Sequence, residues 1–221
     1  MSCGTTPIRD LGSRRRSLPV NRCGQERELR LSVIRHSITS VPSDDQRSLR
    51  AAEVVAYDER WPRMFRQVAA EVNRALAGIE HEVEHIGSTS VPGLAGKPII
   101  DLFAVVSSSD DVQAAIAALG QHGWLHEGDG GLEGRESFPV RPDLPYQHLY
   151  LVVRGNEQHL LQTRFRDILR ADEQARTEYA GLKAKLAPLL ATDRAAYSEG
   201  KTELVHSVLR RHGFPTWSGV R

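Results

Sequence analysis

The chain has 221 residues, 40% of them hydrophobic and 26% charged, and a formal net charge of +1. That length suits one domain with an appendage, and that balance suits a chain that buries a core. No apolar run reaches the roughly 18 residues of a membrane helix, so none is expected.

Residues 1–50 hold ten Arg and no Lys against five acidic residues, a local net of +5 that leaves −4 for the remainder. Their Arg, Ser and Pro content and lack of sustained period predict a mostly disordered basic extension. Within it Arg27–Ile34 alternates weakly, as an isolated strand would, and Arg14–Arg16 reads as solvated tail. Cys3 and Cys23, the only cysteines, lack metal-ligand spacing and read as free thiols in a reducing compartment. The first twenty residues show no signal-peptide apolar stretch, so a cytoplasmic protein is expected. The acidic remainder argues against extended nucleic-acid binding, which needs clustered cations. The predicted layout is extension 1–50, domain 51–214 and a short tail from 215 to 221.

A short strand is predicted at Val54–Tyr57, then a helix from Trp61 to Leu76. Pro62 sits in the helix's first turn and Phe65, Val68, Val72 and Leu76 recur at helical spacing. Ile79–Ile86 alternates as a strand does, and Pro98–Val106 is the continuous apolar run of a central strand. "DDVQAAIAALGQHG" predicts a helix stopped by Gly123. Strands follow near Ser137–Val140 and His148–Val153, then helices over Gln158–Arg170, Asp172–Leu189 and Asp193–His212. This pattern predicts an α+β domain with a helical C-terminal part.

"HEVEH", His81 to His85, satisfies the H-E-x-x-H zinc-protease pattern letter for letter. That chemistry needs a helix, on which residues four apart share a face. Gly78 and Gly87 leave barely two turns between them. As a strand, the segment places Ile79, His81, Val83 and His85 on one face and Glu80, Glu82 and Glu84 on the other. His81 and His85 are then about 13 Å apart, too far to share a metal. His81 reads as a rim or core histidine, while His85, beside the next loop, stays a site candidate.

That loop, "GSTSVPGLAGKP", offers small residues and hydroxyls at a strand end, where backbone N–H groups can meet phosphate oxygens. It is no Walker A motif: Val91 and Pro98 stand where Gly and Ser/Thr are required. The stretches "YDERWPRMF", "VEHIGSTSVPGLAGKPIIDLFAVV", "HLYLVV", "RFRDILRAD" and "YSEGKTELV" together resemble the GrpB family, from about Val54 to Val208. The resemblance implies a nucleotidyltransferase-like (polymerase-β-like) mixed sheet with flanking helices. Some relatives are fused to dephospho-CoA kinase.

Transferases of that fold pair a Gly-Ser at a strand end with two carboxylates on a following strand, which hold Mg²⁺ or Mn²⁺. Gly87, Ser88 and Asp101 fit; the second acid should stand at position 103, which is Phe103. The resemblance thus implies Asp101 and His148 as catalytic residues, and Asp101 with His85 as metal ligands. Gly87, Ser88, Thr89, Lys97, Arg135, Tyr150 and Lys201 would contact a nucleotide or other phosphorylated small molecule. Plainer readings stand beside these. Lys97 and Lys201 can form surface ion pairs, Asp101 a structural salt bridge to Lys97 or an Arg, and His148 a bond to backbone. Arg166 and Asp167 fit a helix-face pair or the cleft wall. Two functions are compatible: a phosphate-ligand binder that carries out metal-dependent nucleotidyl transfer, or a non-catalytic accessory module linked to coenzyme A metabolism.

Overall fold

A computed structural model describes residues 53–215; the predicted extension, its Arg27–Ile34 strand, both cysteines and the end of the tail lie outside them. Helix α1, Trp61–Ala75, carries Pro62 in its first turn and buries Trp61, Val68, Ala69, Val72 and Ala75. Their spacing puts them on one stripe. Strand β1, His81–Ile86, leads through a 3-10 turn, Ser88–Ser90, toward β2, Ile100–Val106. Helix α2 spans Asp110–Gln121, β3 Arg135–Phe138 and β4 Gln147–Val153. The predicted Val54–Tyr57 strand reduces to one bridge, Val55 to Gly96.

The strands form one mixed sheet in the order β1-β2-β4-β3, with only β2 and β4 parallel. Alternation assigns the faces. Ile100, Leu102, Ala104, Val106, Leu149 and Leu151 join the main core with Trp61, Val68, Val72, Leu119 and Trp124. Ile86, Phe103, Val105 and Val152 form a separate cluster on the opposite face. The sheet and helices make the fold α+β, as the element pattern predicts.

The helical C-terminal part begins with α3, Glu157–Ala171, and α4, Glu173–Leu186. Side chains of Asn156 and Asp172 cap them by accepting from the N–H of His159 and Ala175. A third cap, Asp193 to Ala196 N–H, starts α5, Arg194–Glu199. The expected single helix to His212 is broken here, because α6 begins afresh at Thr202 and ends at Arg211. Gly200 sits at the break. A Cβ on it would come within 3.0 Å of the Leu186 methyls and 3.1 Å of the Ala196 carbonyl, so glycine lets these elements pack closely at the turn. The break leaves Lys201 free of the helix surface that the sequence assigns to it.

Strand β1 is fastened to α3 by Glu84, whose carboxylate accepts from His159 Nε2 and Arg166, both at 2.8 Å. Arg166 also reaches the His85 carbonyl and Asp167. It therefore clamps sheet to helix, rather than only pairing along the helix. The His159 bond first, and Arg166 next, outweigh burial and lower Glu84 to about 2. Because the folded value is depressed, this stability is present above about pH 4.5 and is lost as pH falls toward 2. Glu84→Gln is expected to cost on the order of 2 kcal/mol at pH 7 and to flatten the acid limb. Urea unfolding at pH 7 and pH 3 measures this, and an unchanged acid limb would contradict it.

Candidate functional site

Beyond the end of β1, Gly87 (φ 69°) brings the backbone against Asp101 of β2. Ser88 follows, and the two residues with Lys97, Asp101 and Lys201 line a cavity of about 320 Å³ under the C-terminal helices. Lys183 of α4 joins them, only 2% exposed. The Lys183 ammonium donates to Ser88 Oγ at 2.9 Å and to the Ala95 carbonyl. Tyr197, at 2% exposure, supports two of these cations: Lys201 lies 4.3 Å and Lys97 5.7 Å from its ring centre. Lys183 lies 4.8 Å from the Tyr179 ring. The rest of the wall is mixed: Leu161, Phe165, Val205 and Leu209 are apolar, and Gln162, Ser198, Thr202 and His206 are polar.

The charges in this cavity do not balance. Among the described residues three lysine amines face one carboxylate, so the site carries an excess of positive charge when they are protonated. Burial, and then the neighbouring Lys201, lower Lys183 to about 7. Burial and Lys97 lower Lys201 to about 8, against the pull of Asp101. Lys97 is lowered as well, by burial first, with Asp101 opposing and Arg194 assisting. Cations whose protons are held this weakly are short of counter-charge.

Asp101 pairs with His148 Nδ1 at 3.1 Å, not with Lys97 as a plain salt bridge would. His148 is Asp101's register partner on β4. It lines a second, more open cleft with Arg135, Ser137 and Tyr150, where the Arg135 guanidinium lies 4.3 Å over the Tyr150 ring. Arg135 and Tyr150 therefore do not share the lysine cavity with Ser88. The Asp101–His148 pair stands where the two spaces meet.

Two predicted site residues belong elsewhere. His85 stacks on Phe65 of α1 at 4.5 Å, on the core face of the sheet, whereas Asp101 points from the other face. Thr89 is 1% exposed and donates to the Ile99 carbonyl, so it accepts from His85 Nε2. It is a latch under the loop rather than a ligand contact. Burial lowers His85 to about 4, so it stays neutral at pH 7. His81 bonds to the Ile79 carbonyl and Asn73, and Glu82 pairs outward with Arg154. The H-E-x-x-H letters thus hold no common ion.

The donor set fits a divalent cation poorly. His85 and Asp101 do not converge, and three ammonium groups stand beside the single carboxylate. Among the described residues no group of three or more His, Cys, Asp or Glu could hold a metal ion.

The profile of the GrpB protein family matches residues 51–211. The chain belongs to the GrpB family. A UPF0157 protein of Halalkalibacterium halodurans is 34% identical over 161 residues, 72% of this chain and 80% of that protein. A Bacillus subtilis relative, YqkA, is 33% identical over 71% of this chain but only 46% of its own length. The crystal structure of GrpB from Enterococcus faecalis aligns with a TM-score of 0.61 at 30% identity, over 72% of this chain and 98% of that one. Among the described residues no helix is long and apolar enough to cross a membrane.

Phe103 stands where the family resemblance leads one to expect a second carboxylate. It is 1% exposed, in the cluster with Ile86, Val105 and Val152, and its ring lies 6.3 Å from that of His159 on α3. A helix roofs this position while Asp101, two residues earlier, stays open to the cavity. Phe103→Asp is therefore expected to destabilise by roughly 3–5 kcal/mol, as a cavity and an unpaired buried carboxylate together demand. A midpoint within 0.5 M urea of the parent would show that the roof is not as closed as it stands.

Proposed function

We propose that this GrpB protein binds a nucleotide or another phosphorylated small molecule in the lysine cavity. One observation carries the reading: three of the chain's four lysines, Lys97, Lys183 and Lys201, converge there with Ser88 and a single carboxylate. A phosphate group supplies the charge that these cations lack, and the mixed apolar and polar wall suits the body of a polar organic ligand. Asp101, by accepting from Nδ1, leaves His148 Nε2 as the ring nitrogen able to take a proton from an attacking hydroxyl. Nucleotidyl transfer is consistent with that pair and with the fold that the loop motif implies.

A second reading, a non-catalytic accessory module linked to coenzyme A metabolism, draws on Phe103, whose burial leaves Asp101 without a partner acid. Thermal-shift titration with nucleoside triphosphates, tripolyphosphate and coenzyme A precursors, with and without Mg²⁺ or Mn²⁺, tests the binding reading. A ligand at 100 times its Kd stabilises by about 2.7 kcal/mol. No shift with any of them overturns both readings, and turnover of a stabilising triphosphate that Asp101→Ala abolishes favours the first. Binding is also expected to weaken from pH 7 to pH 9, since Lys183 and Lys201 titrate at about 7 and about 8 and only their charged forms attract phosphate. Isothermal titration in buffers of different ionisation enthalpy would register the matching proton uptake.

A further inference from the structure

Among the described residues no carboxylate pairs with Lys183. Its two bonded partners are the Ala95 carbonyl and Ser88 Oγ, both uncharged, and the residue is 2% exposed. Most buried lysines are paired. A lysine kept unpaired against a serine hydroxyl at a cavity wall is the arrangement by which a buried amine activates a serine nucleophile.

The surroundings fix this serine. A Cβ on Gly96 would stand 2.8 Å from Ser88 Cβ, so backbone packs directly on the side chain and limits its rotation. The adjacent Ala95 carbonyl holds the Lys183 amine on the same side. Ser88 lines the cavity that also holds Lys97 and Lys201. Charge developing on a phosphoryl group at Ser88 would therefore meet two further cations.

We propose that Ser88 is a nucleophile with Lys183 as its base, and that it accepts a phosphoryl group from a phosphate ester or anhydride bound in the cavity. The proposal rests on the binding reading above. Ser88 Oγ forms a bond to phosphorus while the bond from phosphorus to the leaving oxygen breaks. The Oγ proton passes to neutral Lys183 and from there to the leaving oxygen. Release reverses the roles: a water or alcohol oxygen bonds to phosphorus and gives its proton to neutral Lys183, while the bond from phosphorus to Ser88 Oγ breaks and Ser88 takes that proton from Lys183.

Lys183 titrates at about 7, so an appreciable neutral fraction is present near neutrality. Burial first, and Lys201 across the cavity second, set this value; the Tyr179 ring from its own helix lies 4.8 Å away, Lys97 and Asp101 act on Lys201, and His206 lines the same cavity. Tyr179 is held protonated by burial first, with Tyr197 and Asp101 adding to it and a hydrogen bond from Ser88 opposing them. It supplies no competing negative charge.

An alkyl fluorophosphonate is the probe, because attack expels fluoride and leaves a stable adduct. Intact mass and peptide mapping are expected to show one adduct, on Ser88, absent from Ser88→Ala. Lys183→Met should slow labelling by on the order of 100-fold, the size of a general-base effect. The parent's rate should rise with pH through about 7 and level off above it as Lys183 loses its proton. Absence of a Ser88 adduct, or labelling of Lys183→Met at the parent rate, overturns the proposal. Ser88→Ala removes one oxygen, so it is the control should Lys183→Met unfold. A tripolyphosphate thermal shift run in parallel separates the two ideas. A shift without labelling leaves binding standing and removes the nucleophile, whereas labelling without a shift does the reverse.

Discussion

Lys183→Met is expected to raise the protein's midpoint by a few degrees while removing its response to tripolyphosphate. Two opposed terms set the stability change. Burying an ammonium without a counter-charge is costly, and an apolar side chain of similar length relieves roughly 2–4 kcal/mol of that cost. Losing the donor to the Ala95 carbonyl returns about 1–3 kcal/mol, because a buried acceptor is left bare. The balance favours the variant by about 1 kcal/mol, or 2–4 °C for a chain of this size. Against a phosphate ligand the same change removes a charged hydrogen bond worth about 1.5–3 kcal/mol, which weakens binding roughly 10- to 150-fold.

The pH dependence carries a separate sign. Lys183 has a folded value near 7, against the 10.5 of an exposed lysine, so between these the unfolded chain binds more protons. The parent should therefore gain stability as pH rises from 7 toward 10, by roughly 2 kcal/mol, and the variant should lack that gain. Differential scanning fluorimetry at pH 7 and pH 9.5, with and without tripolyphosphate, reads both effects. A parent and variant with parallel pH profiles would show that Lys183 is charged throughout.

The sequence revealed much of this framework, for identifiable physical reasons. Trp61–Ala75 and the central run Ile100–Val106 were legible because burial on one stripe, or on both faces, leaves a period in the residues. The strand at His81–Ile86 followed from its flanking glycines, and so did the failure of the zinc letters. Other features depended on distances that spacing does not encode. The α5–α6 break lies at Gly200, whose requirement is the approach of Leu186 from another helix.

The site was half legible. Gly87, Ser88, Lys97, Asp101 and Lys201 do share one cavity. Arg135, Tyr150 and His148 go to the neighbouring cleft, because β3 and β4 carry them past Asp101 rather than over Ser88. His85 was lost to strand alternation: Asp101 is the register partner of Ile86, so its neighbour His85 faces the opposite side. Lys183 escaped altogether, although a signal existed. Ala175, Tyr179 and Lys183 recur every four residues in α4, and that spacing sets the lysine on the helix's buried face while Lys185 stays exposed.

Gly87→Ala provides the sharpest test of how the site is held. Gly87 has φ 69° and ψ −173°, a region essentially confined to glycine, which an L side chain adopts at a cost of about 1–3 kcal/mol. Its missing Cβ would also stand 2.5 Å from Asp101 Oδ2 and 3.0 Å from Asp101 Cβ, inside contact distance. Asp101 cannot yield freely, because His148 holds its other oxygen at 3.1 Å. The combined cost is expected to be roughly 3 kcal/mol, about half of it from the collision. Gly78→Ala separates the two terms: Gly78 has φ 91° and nothing within 4 Å of its added carbon, so it should lose only the backbone part. If the collision is real, Gly87→Ala in an Asp101→Gly background should fall to the Gly78→Ala value, a coupling of about 1–2 kcal/mol between neighbouring residues. Equal costs for Gly87→Ala in both backgrounds would mean that the loop moves away from Asp101 instead. The carboxylate would then owe its aim to His148 alone, and the glycine at the strand end would serve only to turn the chain.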